Sequence, residues 1–190
     1  MITMKNELFE RMIGSALSCG ASAANIISTA DIVTDRRFRD MCAVNSCGKY
    51  GRCWMCPPDV GEIDELMAEV KKYTYALVYQ YVGILEDSFD FEGMVAAKKR
   101  HYKLSFAVRD SVLRESGISC LHLGAGGCGV CKKCTKESGE PCRHPDLAMP
   151  SLEAYGINVS MLASAAGMKY INGADTVTYF GAVLFDLISE

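Results

Sequence analysis

The chain has 190 residues, with 20 Lys and Arg against 23 Asp and Glu, a formal net charge of −3 at pH 7, and 49% apolar residues. That balance fits one globular domain over residues 1–190, long enough to bury a sizeable core, and an acidic chain without a basic tail is not built as a general nucleic-acid binder. The charged N-terminus MITMKNELFERM lacks the apolar centre of a signal peptide, and no run is long enough to span a membrane, so a cytoplasmic protein with no membrane partner is expected. Oligomeric state is not encoded in any visible pattern.

Ten cysteines in a reducing compartment point to metal ligands or reactive thiols more than to disulfides. Eight of them fall in two short clusters, while Cys19 and Cys120 stand in apolar surroundings and are expected as buried small side chains.

In chain order, Phe9, Met12, Ile13, Ala16 and Leu17 recur at helical spacing and predict a helix over Lys5 to Ser18, stopped by Gly20. Asn25 to Val33 is rich in β-branched residues and reads as a strand, or a strand and a turn. The first cysteine cluster follows, Cys42, Cys47, Cys53 and Cys56 in the order C-x4-C-x5-C-x2-C-P-P. Gly48, Gly51, Pro57 and Pro58 exclude a long helix, so this stretch is expected to be loop. Cys-Pro is the usual close of bacterial ferredoxin motifs. Trp54 lies between two candidate ligands, placed either to shield a cluster from water or simply to pack on the surface. Arg36, Arg37 and Arg39 either offset cluster charge, meet an acidic partner, or form a solvated helix start.

GEIDELMAEVKKY sets Ile63, Leu66, Met67 and Val70 on one face, with acidic residues at the start and lysines at the end, matching a helix dipole. YALVYQYVGIL is apolar without a break and predicts a central strand buried on both faces. Met94, Ala97, His101, Leu104, Val108 and Val112 mark a long helix over Phe91 to Glu115, ended by Gly117, with His101 expected as a core or boundary residue and not a ligand. ISCLHL is a short strand leading into the second cysteine cluster.

That second cluster, Cys128, Cys131, Cys134 and Cys142, has the spacing C-x2-C-x2-C-x7-C. Three thiolates on one tight loop can wrap one face of a cubane cluster and a more distant fourth can close it, which predicts a 4Fe-4S site. Gly124, Gly126, Gly127 and Gly129 allow bare backbone to approach a cofactor and amides to bond to sulfur. Lys132, Lys133, Lys136 and Arg143 lie beside what would be an anionic assembly. Further on, SLEAYGINVSMLASAAGM predicts one or two helices broken near Gly156 and Ile157, the second capped by Asn158 or Ser160. GADTVTYFGAVLFDL is a turn and a long strand. The expected fold is α/β (or α+β), a mixed central sheet of four to five strands with flanking helices, both cysteine loops lying near one end.

Three blocks in fixed order, CGKYGRCWMCPP, GAGGCGVCKKC, and PCRHP followed by PSLEAYGINV, make the chain resemble a family of predicted cysteine-rich metal-binding proteins of anaerobic bacteria and archaea. The resemblance spans most of the chain. It implies metal at the eight clustered cysteines and no particular reaction.

Zinc is the rival metal, with Cys53 and Cys56 pairing with Cys128 and Cys131, but that arrangement leaves Cys42, Cys47, Cys134 and Cys142 without a role. A Rieske centre built on His122 or His144 has the wrong spacing; these two histidines are expected as strand-surface and ligand-supporting residues. The first functional expectation is therefore two 4Fe-4S clusters serving electron transfer with a redox partner protein. A reductase is the alternative, with Arg143 and His144 holding a small substrate and Glu153 as acid or base. Against it stands a structural role in which Arg143 pairs with Glu153 and Tyr155 packs. A sensor or metal-storage module would use the same cysteines without turnover. Which cysteines share a cluster stays open, and no nucleotide-binding fingerprint supports a flavin or nicotinamide cofactor.

Overall fold

The computed structural model describes residues 2–116 and 120–187. Nine elements organise them: α1 (Ile2–Ser18), β1 (Ala23–Ser28), α2 (Arg37–Ala43), α3 (Ile63–Val70), β2 (Tyr75–Ile84), α4 (Phe91–Ser116), β3 (Cys120–Leu123), α5 (Val159–Ala165) and β4 (Thr176–Phe185). The four strands form one sheet in the order β1-β2-β4-β3. At its centre β2 and β4 pair along their full length, from Tyr75 opposite Phe185 to Ile84 opposite Thr176.

Alternation along these two strands feeds two cores. Leu77, Tyr79, Val183 and Phe185 meet Met12 and Ala16 of α1 and Leu104, Val108 and Val112 of α4. On the opposite face Ala76, Val78, Ala182 and Leu184 pack with Leu66 and Val70 of α3, with Leu162 and Ala163 of α5, and with Leu152, Ala154 and Ile157. Both faces are covered, which is why β2 reads as an unbroken apolar run. Gly181 is a packing requirement of the first core, since a side chain there would overlap the phenol of Tyr79.

The class, the helical cover and the long central strand match expectation; the mode of pairing does not. All four strands pair antiparallel, and parallel geometry is confined to a bridge between Gly124 and Ser151. Apolar continuity signals burial on both faces, and helices can supply that to an antiparallel sheet as well. Asn25 to Val33 takes the strand-and-turn alternative: after β1 the Ser28 hydroxyl accepts the Ala30 amide at 3.3 Å and opens a single 3-10 turn over Thr29–Asp31. The expected all-loop stretch begins instead with α2, since RFRDMCA contains no helix breaker and Asp35 accepts the Arg37 amide at its start, 2.9 Å. The predicted stop at Gly117 and the start of ISCLHL lie outside the described residues. Near the C-terminus the chain breaks at Gly156, φ 70°, and Asn158, not Ser160, caps α5 by accepting the Met161 amide.

Candidate metal centre

The second cysteine loop leaves and rejoins the sheet at one point. The Gly124 amide bonds to the Pro150 carbonyl at 2.9 Å and the Leu152 amide to the Gly124 carbonyl at 3.0 Å, so residues 125–149 form a closed excursion from the end of β3. The first loop is tied to the same neighbourhood. The Asp35 amide bonds to Gly156 O at 2.7 Å and the Asn158 amide to Val33 O at 2.9 Å. Its arginines serve mainly as framework: Arg36 pairs with Asp64 at 2.7 Å and Arg39 donates to Gly61 O at 2.6 Å. Arg39 also draws down the Cys42 thiol, against the larger upward effect of burial and the further ones of Glu153 and Cys47.

The two loops are stitched to each other. Arg52 pairs with Glu137 at 3.0 Å, Trp54 Nε1 donates to Glu140 O at 3.1 Å, and Lys136 pairs with Asp59 while its ammonium sits 4.4 Å from the centre of the Trp54 ring. Trp54 and Lys136 are thus seam residues, and half-buried Trp54 covers cysteines of both loops.

Within the seam, Cys53 from the first loop and Cys128, Cys131, Cys134 and Cys142 from the second line one small cavity, with Trp54, Met55 and His144 in its wall. Cys128, Cys53 and Cys56 act on one another's thiols, a run of three sulfurs that crosses from loop to loop. Cys53, and burial as well, hold Cys128 far above the usual thiol range. Cys128 draws Cys53 down, but Cys56 and burial leave it pushed up to about 11. Cys56 ends the run and is lowered by Cys53, against burial and against Cys47, Cys42 and Cys128, which act on it electrostatically in the opposite direction. The sulfurs therefore fall into a group around Cys42, Cys47 and Cys56 and a group around Cys131, Cys134 and Cys142. Cys53 and Cys128 form the contact between the groups.

The glycines act differently from expectation. Gly127 is needed because a Cβ there would stand 3.1 Å from Cys56 Sγ, but the amide of Gly129 bonds to the Tyr102 phenol, not to sulfur. The backbone of Met149 and Val130 and the Tyr102 phenol lower the Cys128 thiol, and the backbone of Met55 lowers Cys53. Tyr102 has no sequence signal beyond an aromatic ring amid the charged residues KKRHYK of α4.

Among the candidate catalytic residues the structure separates what the sequence had grouped. Arg143 and His144 are exposed, and His144 borders the cysteine cavity. Glu153 borders a different cleft, shared with Lys98, and burial pushes its carboxyl up. No ion pair joins Arg143 to Glu153 among the described residues, and the Tyr155 phenol donates to Glu69 at 3.2 Å. His122 is not on the surface: it is buried, with Nε2 3.0 Å from the Tyr79 phenol. His101 is fully buried between the rings of Tyr79 and Tyr179, as a core residue. Cys19 and Cys120 are half-buried against the α1/α4 core, not enclosed by it.

All ten cysteines are free thiols, and among the described residues no three His, Cys, Asp or Glu side chains converge on a single-ion site. As a donor set, eight soft thiols in two adjoining groups fit thiolate-ligated iron–sulfur clusters or zinc and not an oxygen-seeking cation. Among the described residues no helix is long and apolar enough to cross a membrane.

Comparison with known proteins agrees with this chemistry. Residues 25–185 match a family described as predicted metal-binding protein (DUF2284), and the matched span holds both cysteine loops and all of the sheet but the first two residues of β1. No curated protein matches the chain. No solved structure matches it either.

Proposed function

Since the chain belongs to this family of predicted metal-binding proteins, we propose that it holds two 4Fe-4S clusters on its eight clustered cysteines and passes single electrons to a redox partner protein. The observation that carries this reading is the seam itself, where two cysteine loops that are remote in sequence bring their sulfurs together at Cys53 and Cys128. The spacing C-x2-C-x2-C-x7-C and the Cys-Pro that ends the first quartet favour cluster ligation over zinc. When bound, such clusters supply one-electron oxidation and reduction.

The chain's own residues set the conditions. Cys42, Cys47 and Cys56 hold one group and Cys131, Cys134 and Cys142 the other, with Cys53 and Cys128 dividing between them as the fourth ligands. Their contact keeps the two groups side by side. The backbone of Met149, Val130 and Met55 and the Tyr102 phenol lower the thiols of Cys128 and Cys53 and so favour thiolate charge. Trp54 and Met55 screen the cysteine cavity from water. Exposed Lys132 and Arg143 on the second loop suit an acidic face on the partner.

Electron paramagnetic resonance of anaerobically purified, dithionite-reduced protein tests this reading. Two adjacent reduced clusters give a broadened, spin-coupled spectrum, and Cys42→Ala or Cys131→Ala simplifies it to one isolated signal with about half the iron. A wild-type spectrum already free of coupling, or protein that contains zinc and no iron, overturns it.

A further inference from the structure

A cleft of about 210 Å³ lies beside the Cys42 side of the metal centre and belongs to no role described so far. Lys98 of α4, Gly126 of the second cysteine loop, Glu153, Tyr170, and Thr178 and Tyr179 of β4 line it. Two of these side chains carry opposite charge, yet no ion pair joins them among the described residues. The Lys98 ammonium rests against bare backbone, so near that a Cβ on Gly126 would stand 3.1 Å from it. Burial pushes the Glu153 carboxyl up, against the smaller downward effects of its own backbone and of Ser151. Lys98 is exposed and Glu153 half-buried, so the cleft offers a cation within reach of solvent and a partly enclosed carboxyl that are not paired with each other, and a ligand carrying the complementary pair of charges would serve both.

The rest of the wall has fixed hydrogen-bonding capacity. Thr178 Oγ1 accepts from Asn172 Nδ2 at 3.0 Å, which leaves its own proton free to donate. Tyr179 gives its proton to Met94 O at 3.1 Å, so its oxygen can only accept. Tyr170 stacks on Phe180 with ring centres 6.0 Å apart and gives an apolar side to the cleft. One donor, one acceptor, one cation, one carboxyl and an aromatic face in so small a space suit a compact polar metabolite.

We propose that this cleft binds a small amino carboxylate, whose carboxylate meets the Lys98 ammonium and whose ammonium meets the Glu153 carboxyl. Glu153 thereby leaves the grouping with Arg143 and His144 and works with Lys98, a residue with no signal in the sequence. The site adjoins the metal centre: Glu153 acts electrostatically on Cys42, and Gly126 precedes the Gly127 that packs on Cys56. It does not depend on which metal the cysteines hold.

Isothermal titration calorimetry of the anaerobically purified, metal-loaded full chain tests it, with glycine, L-alanine, L-serine and L-aspartate as probes and with lactate and ethylamine as single-charge controls. At least one amino acid is expected to bind at one site per chain, with lactate and ethylamine about tenfold or more weaker. Lys98→Met and Glu153→Gln should each weaken that amino acid by about tenfold or more while metal content stays at the wild-type level. Absence of binding by all four amino acids overturns the proposal. So does lactate binding as tightly as they do, or affinity unchanged in Lys98→Met. Metal content measured on the same samples keeps this outcome separate from the question of which metal is bound.

Discussion

The sheet and the pair of cysteine loops differ in what holds them in shape. β2 and β4 bury alternate side chains in two cores, and Leu77, Tyr79, Val183, Leu184 and Phe185 are wholly enclosed. The loops bury Cys53, Cys56, Pro57, Thr135 and Met149 and are joined to each other by a few polar contacts, of which Arg52–Glu137 leaves the arginine side chain 59% exposed. Exposed pairs of that kind contribute little. The sheet can thus order itself from apolar burial, whereas the loops need the free energy of metal binding, which for a site absent from the unfolded chain is also free energy of ordering.

The largest expected effect tests that contrast at once. Removing metal by chelation, or by the double change Cys53→Ala with Cys128→Ala, should leave helix and strand content by circular dichroism nearly unchanged. Amide exchange protection at residues 44–61 and 125–149 should fall by orders of magnitude while β2 and β4 stay protected. Equal loss in both regions would show that the sheet also depends on metal.

Next in size is the converse. Leu184→Ala removes a fully buried side chain from the centre of one core and should cost about 2–5 kcal/mol in denaturant unfolding. Metal content per folded chain should not change. Loss of metal in this variant would mean that the two regions are coupled more tightly than their contacts indicate.

A smaller effect concerns the core's acid sensitivity. Burial depresses His101 to about 4 and His122 to about 3, below the ordinary histidine value. Both are neutral in the fold, so their stability is complete above about pH 6.5, where the unfolded chain is neutral too. As pH falls below that value the unfolded state takes up protons first, and each histidine costs about 1.4 kcal/mol per pH unit until its folded pKa is reached. Both His101 nitrogens lack a hydrogen-bond partner, so His101→Phe should be tolerated at pH 7 and should make stability fall less steeply between pH 6.5 and 4. An unchanged slope in urea titrations across that range would contradict a buried neutral His101.

The smallest is Lys136→Ala, which removes the Asp59 pair and the contact with Trp54 and should cost about 1 kcal/mol or less of global stability. Its effect should appear as faster loss of metal to a chelator, because the pair clamps one loop to the other.

The same two regions differ in how far the sequence discloses them. β2, α1 and α4 were legible because each writes its burial as a period within its own residues, and the break at Gly156 was legible because glycine there takes φ 70°. The eight cysteines stand out as candidate ligands from spacing alone. Their contact across the seam could not, since no local pattern says that Cys53 of one loop meets Cys128 of the other. His122 was misplaced for a related reason. Its strand has only four residues, too few to show which face is buried, and the Tyr79 that fixes it lies on a strand not adjacent in sequence. Tyr102 sits on the charged side of α4, where pattern suggests solvent, and only the return of the second cysteine loop over that side gives it a partner, whereas Lys98 on the same side is exposed.

Iron and acid-labile sulfide per chain, measured on anaerobically purified wild-type protein, test the central claim most directly. Two 4Fe-4S clusters require about eight irons and about eight sulfides per chain. Zinc bound to the same thiols, with neither iron nor sulfide, would contradict a redox role and leave the seam as a structural metal site.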